Sequence, residues 1–112
     1  MQVINKNDGS KIPYKLTKTK ISFNDGELTL DLERYRRDWD VTIDICRNKD
    51  NMLVIGTGTG LYYVAQIVIP AAQYELLEEP IDNAADEENR TSEQLNVLPL
   101  DTSQVILYLW EV

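Results

Sequence analysis

The chain has 112 residues, of which 43% are hydrophobic and 27% charged, and a formal net charge of −8, the composition of a folded domain and not of a disordered or fibrous segment. With no histidine and a single cysteine, Cys46, it cannot use imidazole catalysis, histidine metal ligation, an internal disulfide or a thiolate zinc cluster. A folded monomer of this length buries about two-thirds of its unfolded surface, enough for one core without a covalent or metal staple.

Charge is unevenly distributed. Residues 1–50 hold ten Lys/Arg against nine Asp/Glu, whereas residues 51–112 hold only Arg90 against ten Asp/Glu. The N-terminal stretch MQVINKNDGSKIPY meets charge and turn residues before an apolar run forms, so no secretory signal is expected and the expected location is cytoplasmic. Five lysines lie between Lys6 and Lys20. Within the same stretch Ile12, Tyr14 and Leu16 occupy even positions while Ile21 and Phe23 occupy odd ones, which predicts a bulge or bend near Thr17–Lys20.

Asn24-Asp25-Gly26 reads as a turn of residues that tolerate positive φ. Leu28, Leu30 and Leu32 then alternate with polar residues, as do Val41, Ile43 and Ile45, which marks two half-buried strands over 28–35 and 39–46. Tyr35-Arg36-Arg37-Asp38 is short enough to return one strand antiparallel to the other. That pairing would gather Asp31, Glu33, Asp40 and Asp44 on the outer face of a 28–46 hairpin. Clustered carboxylates raise one another's pKa or bind a divalent cation, so a carboxylate-based enzyme or metal site is one expectation for this face.

Asn48-Lys49-Asp50-Asn51 makes the next turn, followed by a strand over Met52–Ile55, a loop or bulge at Thr57-Gly58-Thr59-Gly60, and a buried strand over Leu61–Ile69. The glycines of this loop lack the Lys-Ser/Thr and helix of a phosphate loop. Tyr62 and Tyr63 point to opposite faces of their strand and cannot share one core; with Trp39 and Trp110 they are otherwise read as core residues, the alternative being a stacking platform for bases or sugars. Residues 71–79 fit a short helix after Pro70 and an alternating strand equally well.

Glu75 to Glu93 carries eight carboxylates and one arginine, and residues 78–94 contain one large aliphatic side chain, Ile81. The segment reads as an acidic, mobile loop over 78–94. The last segment, QVILYLWEV, is apolar on both faces and should be an interior strand.

The fold expected is a mainly β, single-domain antiparallel meander over 1–112, forming a small sandwich or a partly open barrel with at most one short helix at 71–79. The function expected is a non-catalytic binding or adaptor module, of the accessory kind that phages and mobile elements carry. It would contact a protein with a basic surface through Glu78, Glu79, Asp82, Asp86, Glu87 and Glu88 and through an aromatic-bearing sheet face. Self-association through an open sheet edge is the second partner expectation, and an acidic inhibitor that imitates nucleic acid is a further alternative. Neither a cofactor, direct nucleic-acid binding nor a membrane is expected.

Overall fold

A computed structural model describes the backbone of residues 1–80 and 91–112, and the side chains of residues 1–76 and 95–112. The elements in chain order are β1 (Gln2–Asn5), β2 (Tyr14–Thr17), β3 (Lys20–Phe23), β4 (Leu28–Asp31), α1 (Leu32–Tyr35), β5 (Val41–Asn48), β6 (Leu53–Ile55), β7 (Gly60–Ile69), β8 (Tyr74–Pro80), β9 (Thr91–Val97), a 3₁₀ turn (Thr102–Gln104) and β10 (Ile106–Leu109). They form a five-stranded sheet of order β1-β10-β7-β5-β6, a three-stranded sheet β2-β3-β4 and a two-stranded ribbon β8-β9. Every pairing is antiparallel except β1 with β10. The protein is mainly β, and no closed barrel forms among the described residues.

The two larger sheets bury their apolar rows against each other. Ile21, Phe23, Leu30 and Leu32 come from the three-stranded side, and Ile43, Ile45, Ile67, Ile69, Leu107 and Leu109 from the five-stranded side, all in one core. β10 lies between β1 and β7, as the composition of QVILYLWEV requires, with Val105, Leu107 and Leu109 buried and Ile106, Tyr108 and Trp110 half-buried on the other face.

The parity change between Leu16 and Ile21 is a hairpin turn at Lys18-Thr19, with Lys18 at φ 55°. Asn24, Asp25 and Gly26 all have positive φ (51°, 54° and 93°), so this turn matches its sequence signal, as does the Asn48–Asn51 turn with Asn51 at φ 59°. Two expectations fail here. The strand expected over 28–35 stops at Asp31, whose carboxylate accepts from the Glu33 amide (3.2 Å) and from Thr19 Oγ1 (3.1 Å). An aspartate so placed caps a helical turn, and Leu32 still reaches the core from α1, so alternation alone could not tell the two conformations apart. Nor do the 28–35 and 39–46 segments pair: β4 pairs with β3, while β5 pairs with β6 and β7. Their aliphatic rows meet face to face across the core, which satisfies the same alternation without a shared hairpin.

Residues 74–80 are strand, which settles the ambiguous segment 71–79, and the one α-helical turn lies at Leu32–Tyr35 instead. The loop expected over 78–94 is strand at both ends, since β8 runs to Pro80 and β9 starts at Thr91.

The two main sheets are also joined on the polar side. Glu27 accepts from Asn24 Nδ2 (2.7 Å), the Leu53 amide (3.0 Å) and Arg47 Nη1 (3.2 Å), tying the β3-β4 turn to the β5-β6 hairpin. The Asn24 and Leu53 donors, helped by the Arg47 charge, hold this carboxyl below the usual carboxylate range. A carboxyl whose pKa is lower in the folded state stabilises the fold above its unfolded value and loses that contribution as pH falls through the folded value. The expected result is that Glu27→Gln melts lower than the parent at neutral pH and that the two melting temperatures converge on acidification. A gap that persists unchanged at low pH would show that the carboxylate charge is not what ties the two hairpins.

Candidate functional site

The β8-β9 ribbon pairs over seven positions from Tyr74↔Val97 to Pro80↔Thr91, roughly 24 Å of strand at the usual rise. It extends from the sandwich as an arm. The molecule measures 67 × 25 × 21 Å with a radius of gyration of 19.9 Å, against about 13 Å for a compact chain of this length.

The arm's root is gripped by the segment after α1. The Ala71 amide donates to Asp40 Oδ1 (2.8 Å), the Ala72 amide to the Arg37 carbonyl (2.7 Å), and the Tyr74 hydroxyl to Asp38. Just after β9 the Leu98 carbonyl accepts from Arg36 Nη1 (2.5 Å), and the Leu100 amide donates to Glu33 Oε2 (3.3 Å). Arg36 also approaches Glu33 Oε1 (3.4 Å), with its own side chain 6% exposed. The two strands close on each other at the root through the Leu98 amide and the Gln73 carbonyl (2.8 Å). The hydrogen bond to Asp38, followed by desolvation, raises the Tyr74 phenol above its ordinary pKa.

The register decides what the arm presents. Tyr74 faces Val97 and Leu76 faces Leu95 across the ribbon, on one face, and all four are exposed, from 47% at Tyr74 to 72% at Leu95. Two positions further on, the backbone register pairs Glu78 with Glu93. An apolar ladder near the root thus gives way to an acidic stretch. Of the residues expected to meet a partner, Glu78 and Glu79 fall within β8, while Asp82, Asp86, Glu87 and Glu88 lie outside the described residues.

The outer face of the five-stranded sheet is the second surface. Ile4 sits beside Tyr108, and Val68 beside Ile106, all half-buried on the side away from the core. Lys6 Nζ lies 5.2 Å from the centre of the Tyr108 ring. A register shift after Ile45 pairs Cys46 with Tyr63 and makes Val64 the extra residue, which turns Tyr63 onto this face. There it stacks on Trp110 at 5.1 Å between ring centres. The aromatics are therefore not core residues: Trp39 is 62% exposed, Tyr62 47% and Tyr63 37%. The paired tyrosines do diverge, as strand geometry requires, but neither is covered.

Cys46 is buried, and Gly60 lies so close that a Cβ there would stand 2.5 Å from the Cys46 Cβ. Burial, then the Asp44 charge, pushes its thiol pKa up, which disfavours the reactive thiolate.

The four carboxylates expected on one hairpin face are separated. Asp31 caps α1, Glu33 holds the Leu100 amide, Asp40 holds the Ala71 amide, and Asp44 accepts from Gln66 Nε2 (2.8 Å) in the other sheet. Among the described residues no three Asp, Glu or Cys side chains are grouped to hold a metal ion, and no helix is long and apolar enough to cross a membrane. The arm root and the apolar ladder were missed at the level of sequence. Leu95 and Val97 carry an alternation of only two residues, and Arg36 and Asp38 sit in what reads as a plain turn.

No protein-family model matches the chain, and searches of curated proteins and of solved structures find no match either.

Proposed function

We propose that this protein is a non-catalytic binding module whose working element is the β8-β9 arm, with the aromatic outer face of the five-stranded sheet as its second contact surface. The observation that carries this reading is the exposed ladder of Tyr74, Leu76, Leu95 and Val97 on a ribbon tied to the body by at least five hydrogen bonds at its root. A two-stranded hairpin is marginal by itself in water, and an apolar row left in solvent adds nothing to its stability. Anchoring the root while exposing the row suits a surface that is completed by another molecule.

The arm's sequence adds direction. Its eight carboxylates against one arginine favour a basic partner by steering the encounter and by excluding acidic competitors. The nucleic-acid-imitating inhibitor is a special case of this, in which the basic partner is a nucleic-acid enzyme and capture weakens steeply with salt.

The test is affinity capture from source-cell lysate, comparing the intact chain with one in which Glu78, Glu79 and Glu87–Glu88 become Gln and Asp82 and Asp86 become Asn. The expected result is a partner retained by the intact chain and lost, or reduced at least tenfold, with the neutralised one. Equal capture of the same partner by both would remove the acidic arm from the interface.

A further inference from the structure

Resting on the reading of the arm as a contact element, we infer that the surface completing its apolar ladder is a second copy of this chain, and that the ladder seats on the outer face of that copy's five-stranded sheet. Three features of the molecule bear on this. The first is area. The chain exposes 7561 Å², whereas a folded monomer of its mass exposes roughly 6,300 Å². The excess, about 1,200 Å², exceeds the roughly 800 Å² that one partner contributes to a stable protein interface.

The second is complementary chemistry within one chain. The ladder offers Tyr74, Leu76, Leu95 and Val97, and the sheet face offers Ile4, Val68, Ile106 and Tyr108, half-open and flanked by the Tyr63-Trp110 stack. A flat ribbon face laid on a flat sheet face is the ordinary geometry of sheet packing, about 10 Å between layers. Both surfaces are mostly apolar, so each lacks in the isolated chain the kind of surface the other provides.

The third is charge, which selects arm-on-face over arm-on-arm. Two arms laid together would bring side by side two copies of a segment, 75–93, that carries eight carboxylates against one arginine, and unscreened like charges at close range are costly. The sheet face instead carries Lys6 over Tyr108, and its carboxylate Asp44 is occupied by Gln66. An arm that seats on a body is a heterologous contact unless two chains exchange arms about a two-fold axis, so the assembly is either an arm-exchanged dimer or a larger ring or fibre.

The experiment is sedimentation velocity on the full chain from about 1 to 200 µM, with circular dichroism and a thermal melt on each variant. The intact chain should sediment as two or more copies at the upper concentrations. Leu95→Glu, at a position 72% exposed, should fold normally and raise the dissociation concentration at least tenfold. Tyr108→Ser, on the other half of the contact, should do the same, while Lys15→Glu, at an exposed position of β2 in the three-stranded sheet, should leave the mass unchanged. An intact chain that remains at 12.9 kDa throughout overturns the inference, as does an assembly indifferent to Leu95→Glu or, with the fold retained, to Tyr108→Ser. A monomer that still loses its lysate partner on arm neutralisation would leave the binding-module reading standing and remove only the second copy.

Discussion

Phe23→Ala should lower the stability of this protein by about 3–5 kcal/mol, the range for removing a fully buried aromatic from a packed core. Phe23 is 0% exposed and lies in β3, the middle strand of the three-stranded sheet, between Tyr14 and Leu28. Its ring belongs to the one cluster in which this small sheet meets the five-stranded sheet, so its loss opens a void between the layers. Domains of this size have total stabilities of about 5–15 kcal/mol, and a loss of this order lowers the melting temperature by roughly 10–30 °C. Trp39→Ala provides the contrast. Although the residue is larger, it is 62% exposed and should change stability by no more than about 0.5 kcal/mol. Thermal melts of the two variants check both statements. A Phe23→Ala protein melting within a degree or two of the parent would mean that the sheets do not share this core.

Arg36→Ala should have the largest effect on the arm. The guanidinium is almost fully buried, donates to the Leu98 carbonyl and pairs with Glu33, which in turn holds the Leu100 amide. Among the described residues its Nε finds no partner, so the group already bears a desolvation cost that Nη1 offsets at the root. Removing it leaves the Leu98 carbonyl without its donor and Glu33 without its counter-charge, at about 1–3 kcal/mol. The loss should be local. Amide hydrogen exchange at Ala72, Leu98 and Leu100 should accelerate by tenfold or more, while Ile43, Ile67 and Leu107 in the central strands keep their protection. Exchange that accelerates equally at both places would make Arg36 a residue of the global fold rather than of the arm's root.

Much of the architecture was legible from residue order because turns and burial are local properties. Asn24-Asp25-Gly26 and Asn48–Asn51 announce positive φ, and the two-sided apolar run QVILYLWEV announces an interior strand. Neighbour choice was not legible. Alternation tells which face of a strand is buried but not whether its apolar row lies beside another row or across from it, and β4 and β5 take the second arrangement. Leu32 illustrates a related degeneracy, since an N-capping aspartate lets a helical turn bury the same side chain that a strand would.

The arm was half legible. Its acidity is plain in the composition, yet its conformation depends on a partner strand, TSEQLNV, whose polar sequence gives no strand signal of its own. The pairing of 74–80 with 91–97 is what decides between helix and strand for the ambiguous segment, and the paired residues are from 11 to 23 positions apart in the chain. The exposed aromatics misled for a general reason. Large apolar side chains are expected inside, and only the sheet order shows that the Tyr63 and Trp110 face has no second layer over it.

The most direct test of the arm as the working surface is zero-length carbodiimide cross-linking followed by peptide mass spectrometry, carried out in source-cell lysate on the intact chain. The reagent joins carboxylates to lysines only where they are in contact, and the chain places eight carboxylates between Glu75 and Glu93 against nine in residues 1–50. The account predicts that intermolecular links start overwhelmingly from the 75–93 segment, whether they end on another protein or on a lysine of a second copy. Links that start from Asp8, Asp25, Asp31 or other carboxylates of the sandwich, with none from the arm, would contradict it.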